Sequence, residues 1–216
     1  MNNLIPKFQF KVLSIATAVI LSSFIAQSFK SSYRATQHIQ EGATQITENL
    51  FMPVTLHVDS SVVSSGDGLS WAGAFKYLND ALDVANLGGE VTILIAKGTY
   101  YPDERTNSNS DNRNESFEVN LSNLSIIGGY PSGGIGERDI LCNAVILSGE
   151  IQQDNNPGNN SYHVVEIGGP GSSIFGVNIT GGNANGLLFN SLGGGVYNTV
   201  TANLYYCNIY SNRAVD

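Results

Sequence analysis

Hydrophobic positions follow three different patterns along the chain. At the start, Met1 to Lys11 carries two lysines, and Val12 to Ala26 is an apolar run without a charge. Ala26-Gln27-Ser28 then places small residues at the two positions a signal peptidase reads. An uncleaved spanning helix needs about 20 apolar residues, more than this run supplies. The pattern predicts a secretory signal peptide over 1–28, export to the cell surface or beyond, and a mature chain beginning at Phe29. Residues 29–53 mix polar side chains with no sustained period and read as a linker. No later stretch is long and apolar enough to span a bilayer as a helix.

From Val54 the pattern becomes structural. VTLHV (54–58) reads as a strand, and the Ser/Gly-rich run 60–68 as a loop. A helix is predicted over about 70–87. Ser70 is its cap, Trp71, Ala74, Phe75, Leu78, Ala81, Leu82 and Ala85 form an apolar stripe, and Gly88-Gly89 ends it. Lys76, Asn79, Asp80 and Asp83 fall on the opposite side. Beyond it come short β-branched runs punctuated by glycine, at 91–96, 124–129, 144–149, 163–169 and 173–182. Neither tight Asn-Gly hairpins nor helical patterns join them, which predicts an all-β solenoid rather than a doubly wound sheet.

An internal repeat sharpens this. SIFGVNITGGNA (173–184) and NLYYCNIYSNRA (203–214) align without a gap. Strict alternation sends Phe175, Val177 and Ile179 inward as one file and Tyr205, Cys207 and Ile209 as the next, with Ile174, Gly176, Asn178, Leu204, Tyr206 and Asn208 outward. Asn178 and Asn208 then stack as an amide ladder. Cys207 reads as a small core residue, and a bridge to Cys142 remains the alternative.

Composition narrows the function classes. Only 13% of residues are charged and 24 are glycine, too few charges for coiled coils or charge-driven disorder. The net charge of -8 argues against a phosphate backbone as partner, because nucleic-acid affinity comes mainly from Lys and Arg.

The segments HVDSSVVSSGDGLSWAGAFKYLNDALDVA, VTILIAKGTYYPD, LSIIGGYPSGGIGERD, SGEI, YHVV, GVNITGGNANG and GGGVYN occur in that order. From Val54 onward the chain resembles the secreted bacterial right-handed parallel β-helix proteins of the pectin-lyase-like superfamily. The resemblance implies a right-handed parallel β-helix over 54–216 whose first helix closes the N-terminal end. The chain stops just after a copy of the repeat, so a longer parent protein is expected. Family members include polysaccharide lyases and hydrolases as well as large surface proteins without established chemistry.

Lyases on this fold, the resemblance implies, use calcium-holding acids and an Arg or Lys base on an outer sheet face. Candidates are Arg138, within Glu137-Arg138-Asp139, and Glu150 and Asp154 at a turn; each also reads as a bracing or turn residue. Asn107, Asn109, Asp111, Glu115 and Glu118 have the spacing of a calcium loop, but Asn112 stands at its glycine position; Asp111, Glu115 and Glu118 are the calcium alternatives. Glu166 is outward on a strand and reads as a solvated carboxylate without a partner. His38, His57 and His163 are scattered. Tyr206 and Tyr210 are the candidates for stacking on a sugar. The expectation is an exported, non-catalytic scaffold contacting extracellular polysaccharide without a cofactor. The competing reading is a calcium-assisted lyase or a two-carboxylate hydrolase.

Overall fold

The computed structural model describes residues 27, 30, 31, 34, 37, 53–87, 89–102, 104 and 112–215. The chain divides into two compact units, Met1–Phe51 and Met52–Asp216. In the first, Gln27, Lys30, Ser31, Arg34 and Gln37 are helical and exposed. The apolar run of the predicted signal peptide lies outside the described residues.

The second unit contains β1 (Val54–Val58), helix α1 (Leu78–Ala85), β2 (Val91–Ala96), β3 (Gly98–Tyr100), β4 (Phe117–Val119), β5 (Ser125–Tyr130), β6 (Val145–Ser148) and β7 (Val165–Ile167). It continues with β8 (Ser173–Phe175), β9 (Asn178–Thr180), β10 (Asn183–Ala184), β11 (Val196–Asn198), β12 (Asn203–Tyr205), β13 (Asn208–Tyr210) and β14 (Arg213–Ala214). The sheets run β1-β2-β5-β8-β12, β3-β6-β9-β13 and β4-β7-β11, with β10-β14 as a separate pair. All these strand pairings are parallel. From β2 on, the chain visits the three larger sheets in rotation. The second unit is therefore parallel β-sheet with one α-helix among its described residues.

Like residues meet across the strands. Leu56, Ile93, Ile126, Ile174 and Leu204 are consecutive partners in the five-stranded sheet. Tyr100, Leu147, Ile179 and Ile209 do the same in the four-stranded one. These files form the core, and the middle members are fully buried. Ser173 pairs with Asn203 and Asn178 with Asn208, the register in which the two repeats align.

The inward file differs from the strict alternation predicted. Ile174, Val177 and Ile179 are buried, while Phe175 turns outward and stacks on Tyr205 at 4.5 Å. Gly176 (φ 64) and Tyr206 (φ 53) occupy the left-handed region and bend the chain from one sheet into the next, so alternation restarts after them. Asn178 and Asn208 are partners in register, but the Asn178 amide donates to the Val145 carbonyl (3.1 Å) rather than joining an amide ladder. Cys207 is half-buried against the core, and its thiol donates to the Ile174 and Tyr205 carbonyls. Burial pushes its pKa up. Cys142 is exposed and also a free thiol, so the two are not bridged.

The helix is shorter than predicted because backbone pairing claims its expected first turns. Phe75 N–H donates to His57 O (2.9 Å) and Asp59 N–H to Phe75 O (2.8 Å), which makes Phe75 part of the sheet margin. Ser70 Oγ accepts from Gly73 N (3.1 Å) and caps a turn. Trp71 packs between His57 and Tyr130. From Leu78 the apolar face packs on β1, β2 and β4. Asn79, expected outside, is buried and donates to Pro102 O at 2.6 Å. The PSGG loop is held from the other end of the sequence: buried Asp59 accepts from Gly133 N (2.7 Å) as well as from Ser61.

Candidate functional site

The three-stranded sheet carries the strongest concentration of chemistry. Phe117-Glu118-Val119 and Val165-Glu166-Ile167 both place apolar residues inward and a glutamate outward, because side chains alternate along a strand. The two strands are in register, so Glu118 lies directly opposite Glu166. On its other side Glu166 faces Tyr197 of β11. Adjacent strands are about 4.8 Å apart. The outer face therefore carries a row of carboxylate, carboxylate and phenol.

Flanking residues turn the row into a cleft of about 400 Å³, lined also by Asn114, His163, Phe189 and Asn190. His163 is only 4% exposed. Its ring stacks on Tyr197 at 4.9 Å, and Phe189 tilts against the far side of the group at 6.4 Å from Tyr197. Nδ1 of His163 lies 3.2 Å from the Gly193 carbonyl, an acceptor, so this nitrogen carries a proton, and Nε2 has no bonding partner among the described residues. Asn190 Nδ2 donates to Asn114 Oδ1 (3.1 Å) and ties two walls together. Arg113 anchors the loop that presents Asn114: its guanidinium donates to the Asn160 and Asn183 carbonyls at 2.6 Å each and lies over the Tyr162 ring.

Glu118 Oε2 accepts from Asn120 Nδ2 at 3.0 Å. Glu166 makes no hydrogen bond or ion pair with another described residue. The cleft combines flat rings, two carboxylates, amides and an imidazole, a lining suited to a polar ligand with apolar faces.

The other candidates lie elsewhere. Arg138 Nε donates to the Gly128 carbonyl (2.7 Å) and braces its loop. Beside it, Asp139 accepts from the Cys142 and Leu141 amides, which hold its carboxyl below the usual range, and a hydrogen bond to Asp139, with its charge, in turn raises the Cys142 thiol. Glu150 accepts from the Asn155 amide, and Asp154 from Asn156 N and Asn159 Nδ2 at 2.9 Å; both act as turn residues. Of the calcium alternatives, Asp111 lies outside the described residues, as do Asn107 and Asn109. Glu115 accepts from Asn112 Nδ2 (2.9 Å), and Glu118 belongs to a strand rather than the end of a loop. Among the described residues no group of three or more His, Cys, Asp or Glu converges as a metal site. Tyr206 is 81% exposed at a corner and Tyr210 is exposed at the end of β13, both off the sheet that carries Glu166. His57 bonds Gly68 O, and His38 lies outside the described residues.

Reading the sequence missed that Glu118 lies beside Glu166. The shared apolar-Glu-apolar pattern was the available signal. Among the described residues no helix is long and apolar enough to cross a membrane. Compared with protein-family models, with curated proteins and with solved structures, the chain gives no match.

Proposed function

We propose that the chain is an exported, non-catalytic right-handed parallel β-helix scaffold that holds a carbohydrate in the cleft around Glu118, Glu166 and Tyr197. The observation that carries this is the in-register row of Glu118, Glu166 and Tyr197, walled by Phe189 and His163. Pyranose rings present apolar C–H faces that pack on aromatic rings, and their hydroxyls donate to carboxylates and amides. The rotation of the chain through three parallel sheets, and the resemblance from Val54 onward, support the β-helix reading.

The carboxylate pair also favours a second reading, glycoside hydrolysis, since retaining enzymes hold their two carboxyl groups roughly 5–5.5 Å apart. Binding is the better account of the arrangement. A hydrolase needs its two groups to flank the scissile bond, whereas Glu118 and Glu166 stand side by side on one sheet face.

Calorimetric titration with a panel of neutral, acidic and amino-sugar oligosaccharides tests the proposal. At least one class binds, Tyr197→Ala weakens it about tenfold, on the order of 1.4 kcal/mol, and no new reducing ends appear. Failure of every class to bind contradicts the proposal, and reducing ends that vanish in Glu166→Gln establish the hydrolase instead.

A further inference from the structure

We propose that the carbohydrate recognised by this cleft is cationic: a chain of hexosamine units bearing free amino groups. The inference rests on the carbohydrate reading above and adds the charge of the ligand. Like charges directly opposite on neighbouring strands repel each other. Glu118 and Glu166 are such a pair, and among the described residues no Lys or Arg lines their cleft. Arg113, which presents the neighbouring Asn114, is committed to the Asn160 and Asn183 carbonyls. Glu166 has no bonding partner among the described residues, and Glu118 has only the Asn120 amide.

The missing counter-charge is better supplied by an ammonium than by a hard metal ion. Calcium takes six to eight oxygen ligands in general, and no ligand cluster of three is assembled here among the described residues. An ammonium instead needs acceptors for its N–H groups and tolerates aromatic faces. The cleft offers both. Two carboxylates accept, and His163, which lines the cleft and is buried to more than nine-tenths, directs its Nδ1–H at Gly193 and leaves Nε2 without a bonding partner among the described residues. Tyr197 and Phe189 supply ring faces for the cation and the pyranose. The same carboxylates repel a uronate, and an N-acetylated amino sugar brings no charge to neutralise them.

The test is calorimetric titration of the full chain with tetrasaccharides of glucosamine, of N-acetylglucosamine and of galacturonate, at low and at physiological ionic strength. The glucosamine tetramer binds at least tenfold more tightly than the acetylated one, galacturonate does not bind, and salt weakens the glucosamine complex. E118Q and E166Q each lower glucosamine affinity about tenfold and flatten its salt dependence, with a melting temperature equal to or above that of the parent chain. Equal binding of the acetylated and free forms, preference for galacturonate, or undiminished glucosamine binding in both variants overturns the charge assignment while the carbohydrate reading stands. Failure of all three sugars, and of the wider oligosaccharide panel, removes the carbohydrate reading and this inference with it.

Discussion

Ile126→Asp unfolds the second unit. Ile126 is the middle member of the file Leu56, Ile93, Ile126, Ile174 and Leu204, with an aliphatic partner on each side along the sheet, and it is 1% exposed. A carboxylate there has no water and no cation, and taking it out of water costs several kcal/mol or forces local opening. A domain's whole stability is about 5–15 kcal/mol, so the loss takes most of it. Ile126→Val, which removes one methyl from the same place, costs only about 1 kcal/mol. Urea unfolding followed by circular dichroism separates the two. A Val-like midpoint for the Asp variant means that Ile126 is not in the core.

Gly182→Ala is the second large effect, and it acts through backbone rather than side-chain volume. A Cβ at Gly182 runs into the Gly194 carbonyl, and one at Gly194 runs into the Arg213 carbonyl, so successive corners pack main chain on main chain. Neither obstacle is a flexible side-chain tip that can swing aside. The expected loss is about 3 kcal/mol, at the upper end of ordinary overpacking. Gly133 provides the graded comparison: a Cβ there meets nothing within 4 Å, but its φ of 71 is left-handed. Gly133→Ala should therefore cost only about 1 kcal/mol, the penalty of a left-handed L-residue. Denaturant midpoints measure both, and equal losses would contradict the close approach at Gly182.

Several features were legible in the sequence because their causes are local. The β-branched runs at 91–96 and 144–149 are strands, and the gapless match of 173–184 with 203–214 is the observed register. The direction of Phe175 was not legible, because one left-handed residue at Gly176 resets the alternation and no residue type at that point dictates which sheet follows. Tyr206, at the equivalent corner, has the same conformation with a side chain that gives no hint of it. The start of α1 was hidden for a different reason: the stripe from Trp71 to Phe75 satisfies helical spacing, yet Phe75 gains backbone hydrogen bonds to β1 that a helix would forfeit.

The carboxylate pair illustrates the limit of repeat reading. The repeat of 173–184 in 203–214 has an offset of 30, whereas Glu118 and Glu166 are 48 residues apart, the offset that also pairs Ser125 with Ser173, so a search at the later offset passes over them. Three-residue strands such as β4 and β11 carry too little alternation to announce themselves. Their pairing is decided by the neighbouring sheets, where Ile126 meets Ile174 and Leu147 meets Ile179. Once those files are stacked, Glu118, Glu166 and Tyr197 follow as one row.

Where a sugar sits on the chain is the most direct measure of the account. Amide spectra of the isotopically labelled chain, recorded while a glucosamine tetrasaccharide is added, should shift at residues 114–118, 163–166 and 189–197, the three segments that line the cleft. Signals from the exposed aromatic corner at Tyr205, Tyr206 and Tyr210 should stay in place. Shifts confined to that corner, or no shifts with any oligosaccharide of the panel, would contradict a carbohydrate site built on Glu118, Glu166 and Tyr197.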